Sequence, residues 1–150
     1  MSAPSDLRIR PAVPGDIPRI AEVQLAAREA SPMPPGLHPV DEIRDYLAAQ
    51  LGPTDLWVAE SEGRIVGYAR VGAGWLHDLY VEPGAQGRGV GGALLAMVKG
   101  QQPDGFCLWV FVSNVPARDF YAARGLVEVE RTDGAGNEEK RPDVRMQWRG

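Results

Sequence analysis

Leu76-His77-Asp78-Leu79-Tyr80-Val81-Glu82-Pro83 leads into Gly84-Ala85-Gln86-Gly87-Arg88-Gly89-Val90-Gly91-Gly92 and then Ala93-Leu94-Leu95-Ala96-Met97-Val98. The first run is rich in β-forming residues and stops at a proline. The last run is a strong helix former. Between them lie five glycines in nine residues. That density exceeds what close helix–strand packing requires, and it lets a backbone approach a ligand closely. A glycine loop that opens a helix is an anion cradle. The first N–H groups of the helix point outward unpaired, the helix dipole favours negative charge, and Arg88 adds a cation.

Elements on either side extend this strand–loop–helix unit. Leu7-Arg8-Ile9-Arg10 alternates apolar and polar residues before Pro11 and reads as a short strand. Asp16 is placed to cap a helix running to about Ala30, with Pro18 in its first turn. Ser31-Pro-Met-Pro-Pro-Gly36 cannot be helical. A second helix is expected over Val40–Leu51, ended by Gly52-Pro53. Leu56–Glu60 and Ile65–Val71 form a hairpin around Glu62-Gly63. After the glycine loop come a strand over Phe106–Val112, a short helix over Ala117–Ala123, and strands over Leu126–Glu130 and Val144–Trp148. The expected order is βααβββαβαββ, an α/β (α+β) domain with a mixed, mostly antiparallel twisted sheet flanked by helices. No repeat or linker divides residues 1–150.

Composition excludes several classes. The 150 residues carry a net charge of −4, against the basic balance of nucleic-acid-binding domains and of polybasic membrane-surface proteins. No stretch reaches the roughly 18 apolar residues of a membrane span. Met1–Asp6 lacks a basic region followed by an apolar core, so no signal peptide is expected and the cytoplasm is the default location. One cysteine, Cys107, excludes an internal disulfide; its apolar surroundings predict a buried, inert thiol. Two histidines, His38 and His77, are too few and too far apart for a zinc signature, so no metal is expected.

Gly87-Arg88-Gly89-Val90-Gly91-Gly92 also fits G-x-G-x-x-G. A nicotinamide site then needs a carboxylate at the end of the next strand, which here reads Val112-Ser113-Asn114. No Gly-Lys-Ser/Thr follows, so the loop is not a P-loop. The same residues resemble the Q/R-x-x-G-x-G/A motif of the GNAT N-acetyltransferase superfamily, in Gln86-Gly87-Arg88-Gly89-Val90-Gly91. Asn114 followed by Phe120-Tyr121-Ala122-Ala123-Arg124-Gly125-Leu126 is similar to that family's C-terminal N-x(5–6)-Y-x-x-x-G-F segment, with Leu126 where Phe is commoner. Arg10-Pro11-Ala12 with Asp16 resembles its opening strand and helix.

The resemblance implies acetyl transfer from acetyl-CoA to a primary amine, by direct attack through a tetrahedral intermediate. The pyrophosphate would lie on the N–H groups of Gly87–Gly92, with Gln86, Arg88 and Val90 in the same loop. The pantetheine arm would pair with Leu79, Tyr80 and Val81 as an added strand, with Asn114 on its other side. Asn114 also suits a plain helix N-cap. The resemblance assigns the oxyanion to the Leu79 N–H and the proton donor for the leaving thiolate to Tyr121. Tyr121 otherwise reads as a packing aromatic beside Phe120.

An alkylammonium has a pKa near 10.4, so a base must act before attack. Trp109 takes a position where relatives often hold a carboxylate. His77 and Asp78 remain, and two-residue periodicity places them on opposite sides, so only one should enter the cleft. His77 is the better base by its ordinary pKa. Asp78 could instead bind the ammonium, and an ordered water could serve as base. Either residue could also be an ordinary polar strand residue.

The resemblance places the acceptor pocket at Ala30–Asp41 and Asp133–Arg145. Asp41, Glu42, Asp45, Glu138 and Glu139 there favour a cationic acceptor. A non-catalytic acyl-CoA-binding module remains the alternative. Trp148 is an aromatic of the kind enriched at interfaces and raises a homodimer contact as an expectation.

Overall fold

The computed structural model describes residues 3–150. Met1 and Ser2, which open the stretch read above for a signal peptide, lie outside them. Seven strands form one sheet: β1 (Arg8–Pro11), β2 (Asp55–Ser61), β3 (Arg64–Gly72), β4 (Trp75–Val81), β5 (Phe106–Phe111), β6 (Val127–Thr132) and β7 (Asp143–Trp148). Four helices accompany them: α1 (Ile17–Glu29), α2 (Val40–Gln50), α3 (Val90–Gln101) and α4 (Val115–Ala122). The element order is the expected one. In space the strands run β1-β2-β3-β4-β5-β7-β6.

Antiparallel pairing builds the β1–β4 half, with hairpins joining β2 to β3 and β3 to β4. At the β2–β3 turn Glu62 and Gly63 both have positive φ, 55° and 74°, as a two-residue turn between twisted strands requires. The two halves of the sheet meet at β4 and β5, which are parallel and share one register pair, Trp75 with Cys107. The Cys107 N–H donates to the Gly74 carbonyl at 2.9 Å. Beyond that point no further pair joins β4 to β5 among the described residues.

Each face of the sheet has its own core, because alternate side chains point to opposite sides. On one face Val66, Ala69, Leu76, Leu108, Val110 and Met146 pack under Leu94, Leu95 and Val98 of α3 and Tyr121 of α4. On the other, Leu56, Val58, Ile65 and Tyr68 pack under Ile17, Ile20 and Val23 of α1 and Leu47 of α2.

Three local expectations are corrected. Asp16 precedes α1 but does not cap it with its side chain. That carboxylate accepts from the Val13 N–H at 2.8 Å and from Arg10 at 2.8 Å, closing the turn before the helix. Cys107 is half-buried rather than buried, and the Arg145 guanidinium lies 3.3 Å from its sulfur. Trp148 is half-buried, with its ring 5.6 Å from Phe106 and the Lys99 ammonium 5.1 Å above it; its homodimer contact stays an expectation.

The third correction concerns β4. Arg70 pairs with Asp78 and Val71 with Leu76, so His77 is an extra residue in the ladder. This bulge breaks the two-residue alternation. Leu76 and Leu79 therefore both face the α3 core, with His77 and Asp78 between them. Both His77 and Asp78 line one cavity, instead of one entering it and the other facing away.

Leu94 is fully buried at the centre of the α3 core. Leu94→Ala should lower unfolding free energy by about 3 kcal/mol in a denaturant titration, from lost transfer energy and the void left behind.

Candidate active site

The gap where β4 leaves β5 is a slot of about 130 Å³. His77, Asp78 and Leu79 line it from β4, Trp109 from β5, and Asn114 and Tyr121 from the start and body of α4. A second cavity of about 400 Å³ adjoins it and shares Leu79, Tyr80, Asn114 and Tyr121. Its wall also takes in Val81, Gln86 and glycines 87, 89, 91 and 92, the end of α1 with Ser31 and Pro32, and Phe120 and Arg124.

The glycine loop has the backbone of an anion cradle. Gly89 stands before α3 in the left-handed region, φ 82°, and no side chain caps the helix. The first-turn N–H groups of α3 thus lack intrahelical or side-chain partners. A Cβ on Gly91 would come within 3.4 Å of the Phe120 ring, so glycine keeps α4 close and the cavity open. Gln86 does not enter as a free side chain; its amide donates to the Val81 carbonyl at 2.9 Å and ties the loop to the end of β4.

Two of the loop residues point elsewhere. Val90 is buried in the α3 core. Arg88 lines a separate surface cavity with Arg64 and Glu82 and does not line the glycine-loop cavity. The cation beside the cradle is Arg124, which the sequence shows only as part of the C-terminal motif. Its guanidinium lies 3.8 Å from the Phe120 ring centroid and 3.6 Å from where a Gly92 Cβ would stand. The i,i+4 spacing of Phe120, on α4, and Arg124, just past its end, was the available signal.

Asn114 caps α4, its side-chain oxygen accepting from the Ala117 N–H at 3.4 Å. It lines both cavities as well. Tyr121 is 9% exposed, and burial first, then the neighbouring Tyr80 and Asp78, push its hydroxyl pKa well up. Tyr80 is pushed up to about 12, chiefly by burial. Both phenols therefore keep their protons at neutral pH.

The bulge pair is held differently on its two members. Asp78 accepts from Arg70 Nε at 2.8 Å and from the Tyr68 hydroxyl at 3.2 Å, and Gln24 donates to that hydroxyl at 2.8 Å. Arg70 itself is 7% exposed, so the ion pair is largely desolvated. His77 stacks on Trp75, with ring centroids 6.4 Å apart and planes at 17°. A Cβ on Gly72 would sit 2.7 Å from its Nε2. Burial lowers the His77 pKa; Arg70 lowers it further and Asp78 opposes both. A neutral imidazole at pH 7 is the result.

A third cavity of about 530 Å³ lies over Asp78, between the α1–α2 segment and the β6–β7 loop. Leu37 and Tyr46 form an apolar part of its wall, and Glu42, Glu138 and Glu139 an acidic part. Arg28 reaches Glu139 at 3.2 Å, and His38 sits 2.7 Å from Glu42 and 2.9 Å from Glu138. Those two carboxylates raise the His38 pKa. Among the described residues no group of three His, Cys, Asp or Glu could hold a metal, and no helix is long and apolar enough to cross a membrane.

Comparison with known proteins places this geometry in a family. Residues 52–128 match the family described as acetyltransferase (GNAT) domain. The chain is 33% identical over 147 residues to the aminoglycoside N(6')-acetyltransferase type 1 of Stenotrophomonas maltophilia, covering 87% of this chain and 90% of that protein. It is 35% identical over 79 residues to the peptidyl-lysine N-acetyltransferase YiaC of Escherichia coli K12; that stretch covers 52% of this chain and about half, 53%, of the relative. Its fold matches yncA of Salmonella typhimurium, solved with its cofactor acetyl-CoA, at a TM-score of 0.74 and 21% identity, covering 97% of this chain and 94% of that one.

With only two histidines, proton NMR can follow both sites directly. His77 should titrate below the ordinary histidine range and His38 above it. The lowered His77 pKa means the unfolded chain binds more protons, so its contribution to stability is present above the unfolded pKa and fades as pH falls through that value. The raised His38 pKa has the opposite sign: its contribution is present below the unfolded pKa and fades as pH rises through the folded one. Overlapping titrations at the unperturbed midpoint would contradict both placements.

Proposed function

Because the chain belongs to the GNAT acetyltransferase family, we propose that it moves an acetyl group from acetyl-CoA to a primary amine. The observation that carries this is the continuity of the glycine cradle with the β4–β5 slot through Leu79, Tyr80, Asn114 and Tyr121. An anion held at the cradle places a long thiol arm beside an opened strand edge and its reactive end among titratable side chains. The residues fit such a ligand: the loop offers unpaired N–H groups, no Cβ blocks glycines 87, 89, 91 and 92, and Arg124 stands opposite. In this reading residues 1–150 act as one acetyltransferase domain.

Acetyl-CoA supplies an activated thioester, whose C–S bond breaks as the C–N bond of the amide forms. The chain's part is binding and proton movement. Gly87–Gly92 hold the pyrophosphate, and the backbone of Leu79–Val81 with Asn114 orients the arm. The Leu79 N–H stabilises charge developing on the carbonyl oxygen. His77, neutral at pH 7, takes a proton from the amine nitrogen, directly or through a water. Asp78, already committed to Arg70 and Tyr68, fits an electrostatic role toward the ammonium better than proton transfer. Tyr121 gives a proton to the departing sulfur, and burial keeps it protonated until then. The two relatives are named for amine acceptors, an aminoglycoside and a peptidyl-lysine. The acidic rim of the third cavity suits a cationic acceptor of that general kind.

Thermal unfolding with saturating acetyl-CoA tests the cradle. A hundredfold excess over Kd should add about 2.7 kcal/mol of stability. Gly89→Asp should abolish that gain, because it strains a left-handed position and puts a carboxylate in an anion site. No stabilisation of the wild type would overturn the assignment. Stabilisation without CoA release from any amine would leave an acyl-CoA-binding module. Tyr121→Phe should lower kcat about a hundredfold, the scale of a lost general acid, with acetyl-CoA affinity retained. An unchanged kcat removes Tyr121 from proton transfer.

A further inference from the structure

Resting on that reading, we infer that Trp109 is the surface on which the acceptor docks as an ammonium cation before it gives up its proton. The alternation along β5 sends Phe106, Leu108 and Val110 into the core under α3 and α4. Cys107, Trp109 and Phe111 face the other way, and neither core includes them. An amine approaching the slot from the α3 side would have to cross packed Leu76, Leu108 and Val110. The open approach is the face that carries Trp109, whose side of the slot also holds His77 and Asp78.

Trp109 is 45% exposed. Three other rings of this chain each carry one of its own cations: Tyr46 with Arg70 at 5.3 Å, Trp148 with Lys99 at 5.1 Å, and Phe120 with Arg124 at 3.8 Å. Among the described residues Trp109 carries none. Its register partner on β7 is Arg145, yet that guanidinium is turned to Glu130 at 2.9 Å and to the Cys107 sulfur at 3.3 Å. An indole is the strongest cation-binding ring available to a protein. Here it is left open at the mouth of the proposed transfer site.

The surrounding charges agree with a cationic occupant. Asp78 and Asp143 line the same slot. Asp143 accepts from Thr132 and from Asn137 at 3.2 Å, both uncharged donors, so its negative charge is not cancelled there. Arg28, which also lines the slot, is engaged by Glu139. An ammonium drawn onto the indole lies within the slot that holds His77, the base proposed to remove its proton. Trp109 thus selects a protonated alkylamine over an uncharged body of the same shape.

The test needs no turnover. The nitrogen-labelled full chain, saturated with CoA, is titrated with butylammonium and with its uncharged isostere butanol. The Trp109 indole N–H signal is the one of four that Trp109→Phe removes. Butylammonium should move it and butanol should not. Trp109→Ala should weaken butylammonium binding about threefold to thirtyfold, the range of a cation–π contact. Trp109→Phe should retain part of the affinity. An unmoved Trp109 signal, an equal response to both ligands, or undiminished binding by Trp109→Ala would each overturn the inference. Acetyl-CoA stabilisation measured on the same samples separates the outcomes: if it persists while the indole stays silent, Trp109 fails and the acetyltransferase reading stands.

Discussion

The site depends on one incomplete strand pairing. Parallel strands normally exchange evenly spaced hydrogen bonds along their length. Here β4 and β5 share a single register pair, Trp75 with Cys107, and then separate. Separation leaves edge N–H and C=O groups of both strands without sheet partners on the facing side, a cost that a ligand with amide groups of its own can offset. It also cuts an opening through the middle of a seven-stranded sheet without exposing either core. The α3 core continues behind the opening through Leu76, Leu108 and Val110. The opening is therefore a slot with an apolar back wall, reached from the glycine-loop side and from the uncovered face.

The bulge at His77 adds what a regular strand could not. An unbroken β4 would put one of two adjacent polar residues into the α3 core, where an unpaired charge costs several kcal/mol. The extra residue keeps Leu76 and Leu79 both on the apolar side and delivers His77 and Asp78 together to the slot. Their environments then diverge. Asp78 is pinned by Arg70 and Tyr68, whereas His77 stacks on Trp75, close against Gly72, and is held neutral by burial and by Arg70. One guanidinium thus holds the carboxylate in place and lowers the basicity of the imidazole.

Element order and the position of the glycine loop were legible because local chemistry decides them. Prolines 32, 34 and 35 interrupt the helices, Glu62-Gly63 makes a turn, and glycine density marks the loop. What escaped the sequence was decided by partners distant in the chain. Strict alternation separated His77 from Asp78, because nothing in β4 alone reveals that β3 will skip a residue against it. Arg88 was chosen as the cradle's cation for its place in the motif, yet side-chain direction from a loop depends on the backbone; Arg124 arrives from another helix. Cys107 looked inert within its apolar run, and its neighbour Arg145 is 38 residues away. Asp16 had the type and position of a cap, but Arg10 competed for the same carboxylate and won with a charged bond.

The two sides of the slot also differ in how they are held, and that difference bears on which of them adapts to a ligand. The glycine-loop side rests on α3 and α4, whose buried faces join one apolar core. The side toward the third cavity is closed by α1, α2 and the β6–β7 loop, joined by Arg28–Glu139 and by His38 between Glu42 and Glu138. The exposed His38 pairs contribute about 0–1 kcal/mol each, far less than a packed helix face, whereas Arg28–Glu139 is largely buried. The glycine-loop side is thus held by one packed core, and the third-cavity side by packed helices together with an exposed pairing at His38. In the proposed acetyltransferase, substitutions at the exposed His38, Glu42 and Glu138 would alter the rim without touching the glycine loop, while Trp109 stays fixed on the central strand β5 beside the slot.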